Sequence, residues 1–278
     1  QVLIDPAAAG RLIGVSWTAD EVLALLGRMR HDARLEDGQL RVAVPAWRAD
    51  ILHPRDLAED IAIAHGYDRL PEAPLTSATY GGPHPREERA ALARAALLGQ
   101  GFLEVLTLAL SSNDVTYRQC GIRDDGRAVL IDNPVTQDQA MVRVSLVPGL
   151  LETLAVNLGH PYPQRIFEVG LVSLIDAASE TGARDVLVAA LALAGDGEGY
   201  ASVRSALDAF LADTGLSGEG EVSLHPSDEP LFLPGRGAEL HLGGRRVGRL
   251  GEVHPAVLER FRLIHPVAIA EIELGSGA

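Results

Sequence analysis

The chain has 278 residues, enough for one large domain or two ordinary ones, and its 47% hydrophobic content supports a substantial core. All 24 cationic side chains are arginines, which excludes Schiff-base lysine catalysis and a P-loop lysine. The net charge of −14 argues against nucleic-acid binding by this chain alone. A single cysteine, Cys120, excludes a disulfide framework and a multi-cysteine zinc site.

The chain shows no signal for export or membrane insertion. No apolar run approaches the ~18–20 residues that span a bilayer, and no signal peptide is visible. A reducing cytoplasm fits the single cysteine. The first residue is Gln rather than Met, so we expect the N-terminus to be cut from something longer.

Residues 1–75 are predicted to form a small α/β domain. The segments 1–4 and 40–44 predict strands, the second by its alternation of apolar and polar residues. Thr18 and Glu21 form a capping-box pattern that opens an amphipathic helix over 21–29. A second helix is predicted over 56–65, because Leu57, Ile61 and Ala64 repeat at helical spacing.

The stretch 76–85 is rich in Gly, Pro, Ser and Thr and is predicted to be a linker. Beyond it, residues 86–278 mix both element types. Helices are predicted over 86–98, 146–158, 200–211 and 255–261, and strands over 102–110, 166–174, 186–194, 238–242, 246–250 and 267–274. Hairpin-linked strands with intervening helices indicate an α+β fold with a largely antiparallel sheet flanked by helices.

Four carboxylates, Asp50, Asp56, Glu59 and Asp60, fall within eleven residues. The last three stand at i, i+3 and i+4 of the predicted helix, so we expect them to share one face of its first turn. Clustered oxygen ligands suit a hard cation such as Mg²⁺. The alternative is helix capping, since Asp56 with Glu59 forms a D-x-x-E pair and acids are favoured at a helix N-terminus. Capping boxes are much the commoner of the two.

The residues around this cluster resemble one family. The sequence here is similar to that of the β subunit of phenylalanine–tRNA ligase. The matching residues are the string from Val42 through Trp47-Arg48-Ala-Asp50, the acids, and then Gly66-Tyr67-Asp68. The resemblance implies that Asp50, Asp56, Glu59 and Asp60 hold a magnesium ion shared with the α subunit. Asp60 departs from the usual Glu, and its reach is shorter by one methylene, which favours ligation through water.

The resemblance continues through residues 86–278 in matching order. Its further blocks are Asn133-Pro134, Arg143-Val-Ser145-Leu146-Val-Pro148-Gly149, Arg165-Ile-Phe167-Glu168-Val-Gly170, Pro234-Gly235-Arg236 and Gly251-Glu252-Val-His254-Pro255. The Pro-Tyr-Pro-Gln run before Arg165, with an end soon after residue 274, favours the archaeal/eukaryotic type. The resemblance implies a class II synthetase-like fold that has lost catalysis.

The residues of this second domain agree with a loss of catalysis. Class II enzymes hold ATP with an Arg and a Glu two residues apart on one strand face, whereas Arg165 and Glu168 are three apart and should point to opposite faces. No Gly-rich motif ending in Arg follows. No catalytic or cofactor-binding residue is therefore assigned to this chain. His254 is expected to be structural, and Arg143 to pair with a carboxylate or contact a partner subunit.

The function implied by the resemblance is that of a scaffold. The family assembles as an (αβ)₂ heterotetramer that attaches phenylalanine to tRNA(Phe), with ATP used by the α subunit and tRNA bound through the holoenzyme. A competing hypothesis is a free-standing paralogue that binds a protein or a small molecule. A third hypothesis, that residues 1–75 bind nucleic acid, runs against their acidic sequence.

Overall fold

The structure, a computed structural model, describes residues 1–73 and 80–275. The chain divides into two compact units, Gln1–Tyr80 and Gly81–Ala278, each considered by itself below. The first four residues of the predicted linker, 76–79, lie outside the described residues. Within the described ranges, no helix has the length and apolar character needed to cross a membrane.

In residues 1–73, the small unit combines three α-helices with a three-stranded antiparallel sheet of order β1-β3-β2. Its elements are β1 (Val2–Ile4), α1 (Pro6–Ile13), α2 (Ala19–Arg28), β2 (Asp32–Glu36), β3 (Gln39–Ala43) and α3 (Pro54–His65). The predicted capping box is confirmed, because the Glu21 N–H donates to Thr18 Oγ1 and the Thr18 N–H donates to Glu21. The core joins Val22 and Leu26 of α2 to Leu57 and Ile61 of α3.

Two elements of this unit were not predicted, namely α1 and β2. Strand β2 is exposed along most of its length and therefore shows no apolar alternation. It pairs with β3 through a two-residue turn, Asp37-Gly38, in which both residues have positive φ. An Asp-Gly pair of this kind is a strong hairpin signal, and it could have revealed the strand.

Within its described residues, the large unit contains one seven-stranded sheet, one two-stranded sheet and four α-helices. Its strands are β4 (Leu103–Glu104), β5 (Leu110–Ser111), β6 (Met141–Val142), β7 (Gln164–Ile175), β8 (Ala183–Ala194), β9 (Val222–Pro226), β10 (Phe232–Leu242), β11 (Arg245–Val253) and β12 (Val267–Glu273). Its helices are α4 (Pro85–Gly99), α5 (Val147–Val156), α6 (Tyr200–Asp213) and α7 (Pro255–Arg260). The predicted α+β class is confirmed.

The large sheet has the order β4-β7-β8-β12-β11-β10-β9, and it is mixed rather than wholly antiparallel. Every neighbouring pair is antiparallel except β4 and β7 at one edge. About sixty residues, including α5, separate β4 from β7, and a crossover of this length permits parallel pairing where a short hairpin would not. The predicted β10–β11 hairpin is confirmed, with Gly243 and Gly244 both at positive φ in its turn.

Both faces of the large sheet are covered. Helices α4 and α6 pack on one face and α5 and α7 on the other, so each face forms its own hydrophobic cluster. Strand β8 supplies both clusters, with Leu191 and Leu193 on the first face and Val188 and Ala192 on the second. A strand buried on both sides has a continuous apolar sequence instead of an alternating one, as 186–194 does.

The continuous strand predicted over 102–110 is wrong, because the segment changes partners along its length. Its beginning, β4, pairs with β7, and the Val105 N–H donates to the Phe167 carbonyl oxygen at 2.8 Å. Its end, β5, pairs with β6, and the Arg143 N–H donates to the Ala109 carbonyl oxygen at 2.9 Å. The residues between these two contacts cross from one sheet to the other.

Cys120 should be unreactive in the folded chain. It lies in the hydrophobic cluster under α5, and burial raises the pKa of its thiol to about 12. Because only the thiolate reacts, alkylation at pH 8 should be roughly a thousandfold slower than in the unfolded chain. The measurement is the rate of thiol modification with and without denaturing urea. A native rate within tenfold of the unfolded rate would contradict the burial.

Candidate functional site

The acidic helix α3 is capped by a residue that precedes it. His53 is the N-cap, and its Nδ1 accepts from the Arg55 N–H at 3.1 Å. Asp56, three residues on, accepts from the N–H groups of Leu52 and His53 at 2.8 and 2.7 Å, both at the same carboxylate oxygen. Capping at this helix is therefore real, but it joins His53 to Asp56 rather than Asp56 to Glu59.

The three acids of α3 do not bring their carboxylates together on one face, contrary to the prediction. Asp60 points into the core beside Leu57 and Ile61, and only 4% of its side chain is exposed. Glu59 is exposed, and Asp56 is turned back onto the start of the helix. Successive helical residues are separated by about 100°, so an inward Asp60 directs Glu59 away from the core.

Arg48 joins two of the four carboxylates. Its guanidinium donates to both oxygens of Asp60, from Nη1 at 2.8 Å and from Nη2 at 3.0 Å. The same group donates to Asp50, from Nε at 2.9 Å and from Nη2 at 2.7 Å. Two paired contacts of this kind form the planar fork that guanidinium groups make with carboxylates. Arg48 thus occupies the space between Asp50 and Asp60.

His31 completes the surroundings of Asp60. It follows α2, its side chain is fully buried, and its Nε2 lies 2.6 Å from Asp60 Oδ2. Since a carboxylate accepts hydrogen bonds, Nε2 carries the hydrogen in this contact. The other ring nitrogen, Nδ1, has no hydrogen-bond partner among the described residues. Asp60 therefore receives three hydrogen bonds from two side chains that are remote from it in sequence.

These contacts set the ionisation of both carboxylates. Burial by itself would raise the pKa of Asp60, but hydrogen bonds from Arg48 and His31 outweigh it, and the pKa lies below its ordinary value. The Arg48 hydrogen bonds also lower the pKa of Asp50. The guanidinium is stabilised in its charged form in return. At neutral pH the cluster is a salt-bridged network around the Arg48 guanidinium.

As a set, the four predicted ligands do not fit one magnesium ion within this chain. The carboxylates of Asp60 and Asp56 are committed to other donors, and Glu59 lies on a different side of the helix. No group of three or more His, Cys, Asp or Glu side chains within 1–73 and 80–275 is arranged to hold a metal ion. The assignment of Mg²⁺ to Asp50, Asp56, Glu59 and Asp60 stays a prediction.

The large unit contains a second buried ion pair. Arg143 Nη1 donates to Glu168 at 2.6 Å, and the Thr107 hydroxyl donates to the other oxygen of the same carboxylate at 2.6 Å. Gly170 leaves room for this pair, because a Cβ at that position would displace the Arg143 guanidinium. Of the two roles considered for Arg143, pairing with a carboxylate is confirmed.

The other residues of the matching motifs also have structural roles. Arg165 is exposed and pairs with Glu198 at 2.8 Å, while Glu168 is buried, so the prediction that they point to opposite faces of β7 is confirmed. His254 is the N-cap of α7, and its Nδ1 accepts from the Ala256 N–H at 3.1 Å. The structural role expected for His254 is confirmed.

Two family models match the chain and together account for nearly all of it. The tRNA synthetase B5 domain matches residues 2–67, and the phenylalanyl tRNA synthetase beta chain CLM domain matches residues 70–274. The chain belongs to the β-subunit family of phenylalanine–tRNA ligase. The family resemblance inferred from the motifs is therefore confirmed, and the alternative of a free-standing paralogue is not favoured.

Curated relatives named phenylalanine–tRNA ligase beta subunit are similar along the same length. The relative from Methanothrix thermoacetophila is 36% identical over 272 residues, which cover 98% of this chain and 48% of the relative. The relative from Pyrococcus abyssi is 37% identical over 265 residues, covering 95% and 47%. The chain thus spans about half the length of the curated β subunits that it matches.

The sequence did not reveal the two side chains that organise the acidic cluster of this β-subunit family member, Arg48 and His31. Arg48 stands inside the quoted Trp47-Arg48-Ala-Asp50 string, but its spacing to Asp50 does not indicate a contact with Asp60. His31 had no local signal, since it is 29 residues from Asp60. A buried aspartate on an apolar helix face was the available clue, because such a charge requires a partner.

Asp60 and Asp50 should differ sharply in their contribution to stability. Replacing Asp60 with Asn leaves the buried side of Arg48 and His31 without a full anionic partner, which should cost about 2–4 kcal/mol in the free energy of unfolding. The Asp50→Asn variant should change stability far less, because 62% of the Asp50 side chain is exposed. Urea unfolding monitored by tryptophan fluorescence measures both. Equal losses would contradict the buried network.

Proposed function

We propose that this chain is the part of a phenylalanine–tRNA ligase β subunit that supports a separate α subunit without carrying out the reaction itself. The proposed holoenzyme is a cytoplasmic (αβ)₂ heterotetramer that attaches phenylalanine to tRNA(Phe), with ATP bound by the α subunit. The proposal includes a class II synthetase-like fold for the large unit. The observation that carries the scaffold role is an apolar groove on the surface of that unit.

The groove follows the segment that crosses from β4 to β5. Leu106 and Leu108 are 91% and 71% exposed, and Leu110 continues the series, whereas Thr107 between them turns inward to Glu168. The apolar side chains of this extended segment thus face outward and a polar one faces the interior. The groove has a volume of about 590 Å³. Its apolar lining consists of Leu106, Leu108, Leu110, Val115, Pro148 and Val156.

An apolar surface of this kind favours a protein partner. Burying a leucine side chain contributes roughly 1.5–3 kcal/mol of free energy. Three exposed leucines on one short segment could therefore contribute strongly to the free energy of binding a partner. Contiguous apolar patches of this type mark interaction sites. The segment is also held in place by the Arg143–Glu168 pair beneath it, so little conformational entropy remains to be lost when a partner binds.

The charged residues of the groove indicate which side chains a partner should present. Asp138 and Glu152 both line it, and neither forms a salt bridge with any residue in 1–73 or 80–275. Burial raises the pKa of Glu152, and the neighbouring Asp138 carboxylate raises it further. A partner surface with apolar side chains and one arginine or lysine would complement both features. We propose that the α subunit presents this surface.

No step of the proposed function depends on a metal ion in the small unit. The resemblance assigns Mg²⁺, shared with the α subunit, to Asp50, Asp56, Glu59 and Asp60, yet their carboxylates are not brought together as one ligand set. Contact with tRNA is likewise proposed for the holoenzyme. The net charge of −14 supports that view, because phosphate binding relies on cationic side chains.

Replacing the groove leucines should weaken assembly with the α subunit. The Leu106→Ser, Leu108→Ser double variant removes the two most exposed apolar side chains of the segment, and it should reduce co-purification of a tagged α subunit by at least tenfold. Aminoacylation of tRNA(Phe) by the co-expressed pair should fall in parallel.

Ile264→Ser is the matched control for this experiment. Ile264 is 75% exposed on the same unit but does not line the groove, so its replacement should leave α-subunit binding unchanged. Equal recovery of the α subunit with the double variant and with this control would exclude the groove as the docking surface. Failure of the unaltered chain to bind any α subunit would overturn the proposed function itself.

The isolated chain should not form phenylalanyl-adenylate. Arg165 is paired with Glu198 at the surface and Glu168 is buried with Arg143, so neither is placed to hold ATP on a common strand face. Phenylalanine-dependent exchange of pyrophosphate into ATP should remain at background with the chain alone and appear when the α subunit is added. Exchange by the chain alone at the rate of the pair would refute the scaffold role.

A further inference from the structure

We propose that Arg48 is the resident cation of the acidic cluster in the small unit. In this inference its guanidinium occupies the position between Asp50 and Asp60 that a divalent ion would need, so the unit forms its acidic site without metal. The inference is independent of the groove and of the α subunit. It also departs from the magnesium role that the family resemblance implies for these residues.

The contacts of Arg48 leave little room for a metal ion between the two carboxylates. Asp60 receives one N–H at each of its oxygens, and Asp50 is held by two nitrogens of the same guanidinium. Mg²⁺ requires near-octahedral oxygen ligands at about 2.0–2.1 Å. An ion between Asp50 and Asp60 would meet a fixed positive charge at that place, and like charges repel strongly at such distances.

The remaining two carboxylates cannot replace this pair. The Asp56 oxygen that faces the helix start accepts from two backbone N–H groups, which would lose their partner if the side chain turned away. Glu59 is exposed on a different side of α3 from Asp60. Glu59 is therefore left as a single carboxylate, apart from the other three residues of the predicted ligand set.

Arg48 also has a positioning role that a surface ion pair would not have. Its side chain is 22% exposed, while the side chains of Asp60 and His31 are 4% and 0% exposed. Through Asp60 it connects the loop after β3 with the core face of α3, and His31 links the same carboxylate to the end of α2. Three separate segments of the unit therefore meet at one guanidinium–carboxylate contact.

Tryptophan fluorescence provides a selective test in the full chain. Both tryptophans, Trp17 and Trp47, lie in the small unit, so their signal reports the unfolding of that unit. The urea transition should have the same midpoint in 10 mM MgCl₂ as in EDTA. A site with a dissociation constant of 0.1 mM would raise the folded-to-unfolded ratio about 100-fold at this concentration, and a shift of that size would overturn the inference.

A matched pair of variants tests the role of Arg48 directly. Arg48→Met should lower the folded-to-unfolded ratio by about 100-fold or more, because Asp60 would remain buried without its cation. Arg41→Met removes an ion pair of similar length, 2.6 Å to Glu36, but an exposed one, and should lower the ratio less than about fivefold. Equal effects of the two variants would overturn the inference.

A third variant covers the case in which Arg48→Met does not fold. Arg48→Lys keeps the charge but loses the fork, so we expect a folded unit with an intermediate loss and, again, no Mg²⁺ dependence. A lysine variant as stable as the unaltered chain would exclude the fork geometry. None of these measurements involves an α subunit, so a failure here is distinguishable from failure of the proposed function.

Discussion

The carboxylate of Asp60 lies inside a hydrophobic core, and the stability of the small unit depends on pairing that charge. Transfer of an isolated carboxylate into an apolar interior costs several kcal/mol even after relaxation, a large share of the stability of a unit of this size. Arg48 and His31 supply the pairing from two directions. The loop after β3 and the end of α2 are consequently held against α3 by the same three side chains, which is why the acidic cluster is a structural centre.

The large unit also contains a buried carboxylate that must be paired, and there the pairing affects which residues remain exposed. Glu168 is buried in β7 and is neutralised by Arg143, with Thr107 donating to its second oxygen. Turning Thr107 inward forces Leu106 and Leu108 outward, since successive residues of an extended segment point to opposite sides. The buried pair therefore accounts for the exposed leucines. In the proposed function, that side effect becomes the surface on which a partner subunit docks.

Most of the local structure could be predicted from the sequence, and the exceptions have physical causes. Helices α2, α3 and α6 follow from apolar periodicity, and strands β7, β8 and β12 follow from short apolar runs, signals that each segment shows by itself. The strand predicted over 102–110 was wrong because two different partners divide it, and no local pattern records a change of partner. The prediction of a shared acidic face on α3 was wrong because Asp60 is held in the core by residues outside its own helix.

The sequence by itself determined the family, the α+β class and the structural roles of Thr18 and His254, because motifs and caps depend on neighbours within a few residues. Only the tertiary structure decided which carboxylates are engaged and which apolar residues remain exposed. His31 and Asp60 are 29 residues apart, and Arg143 and Glu168 are 25 apart. Their contacts exist because packing brings distant segments together and a buried charge must find its partner there.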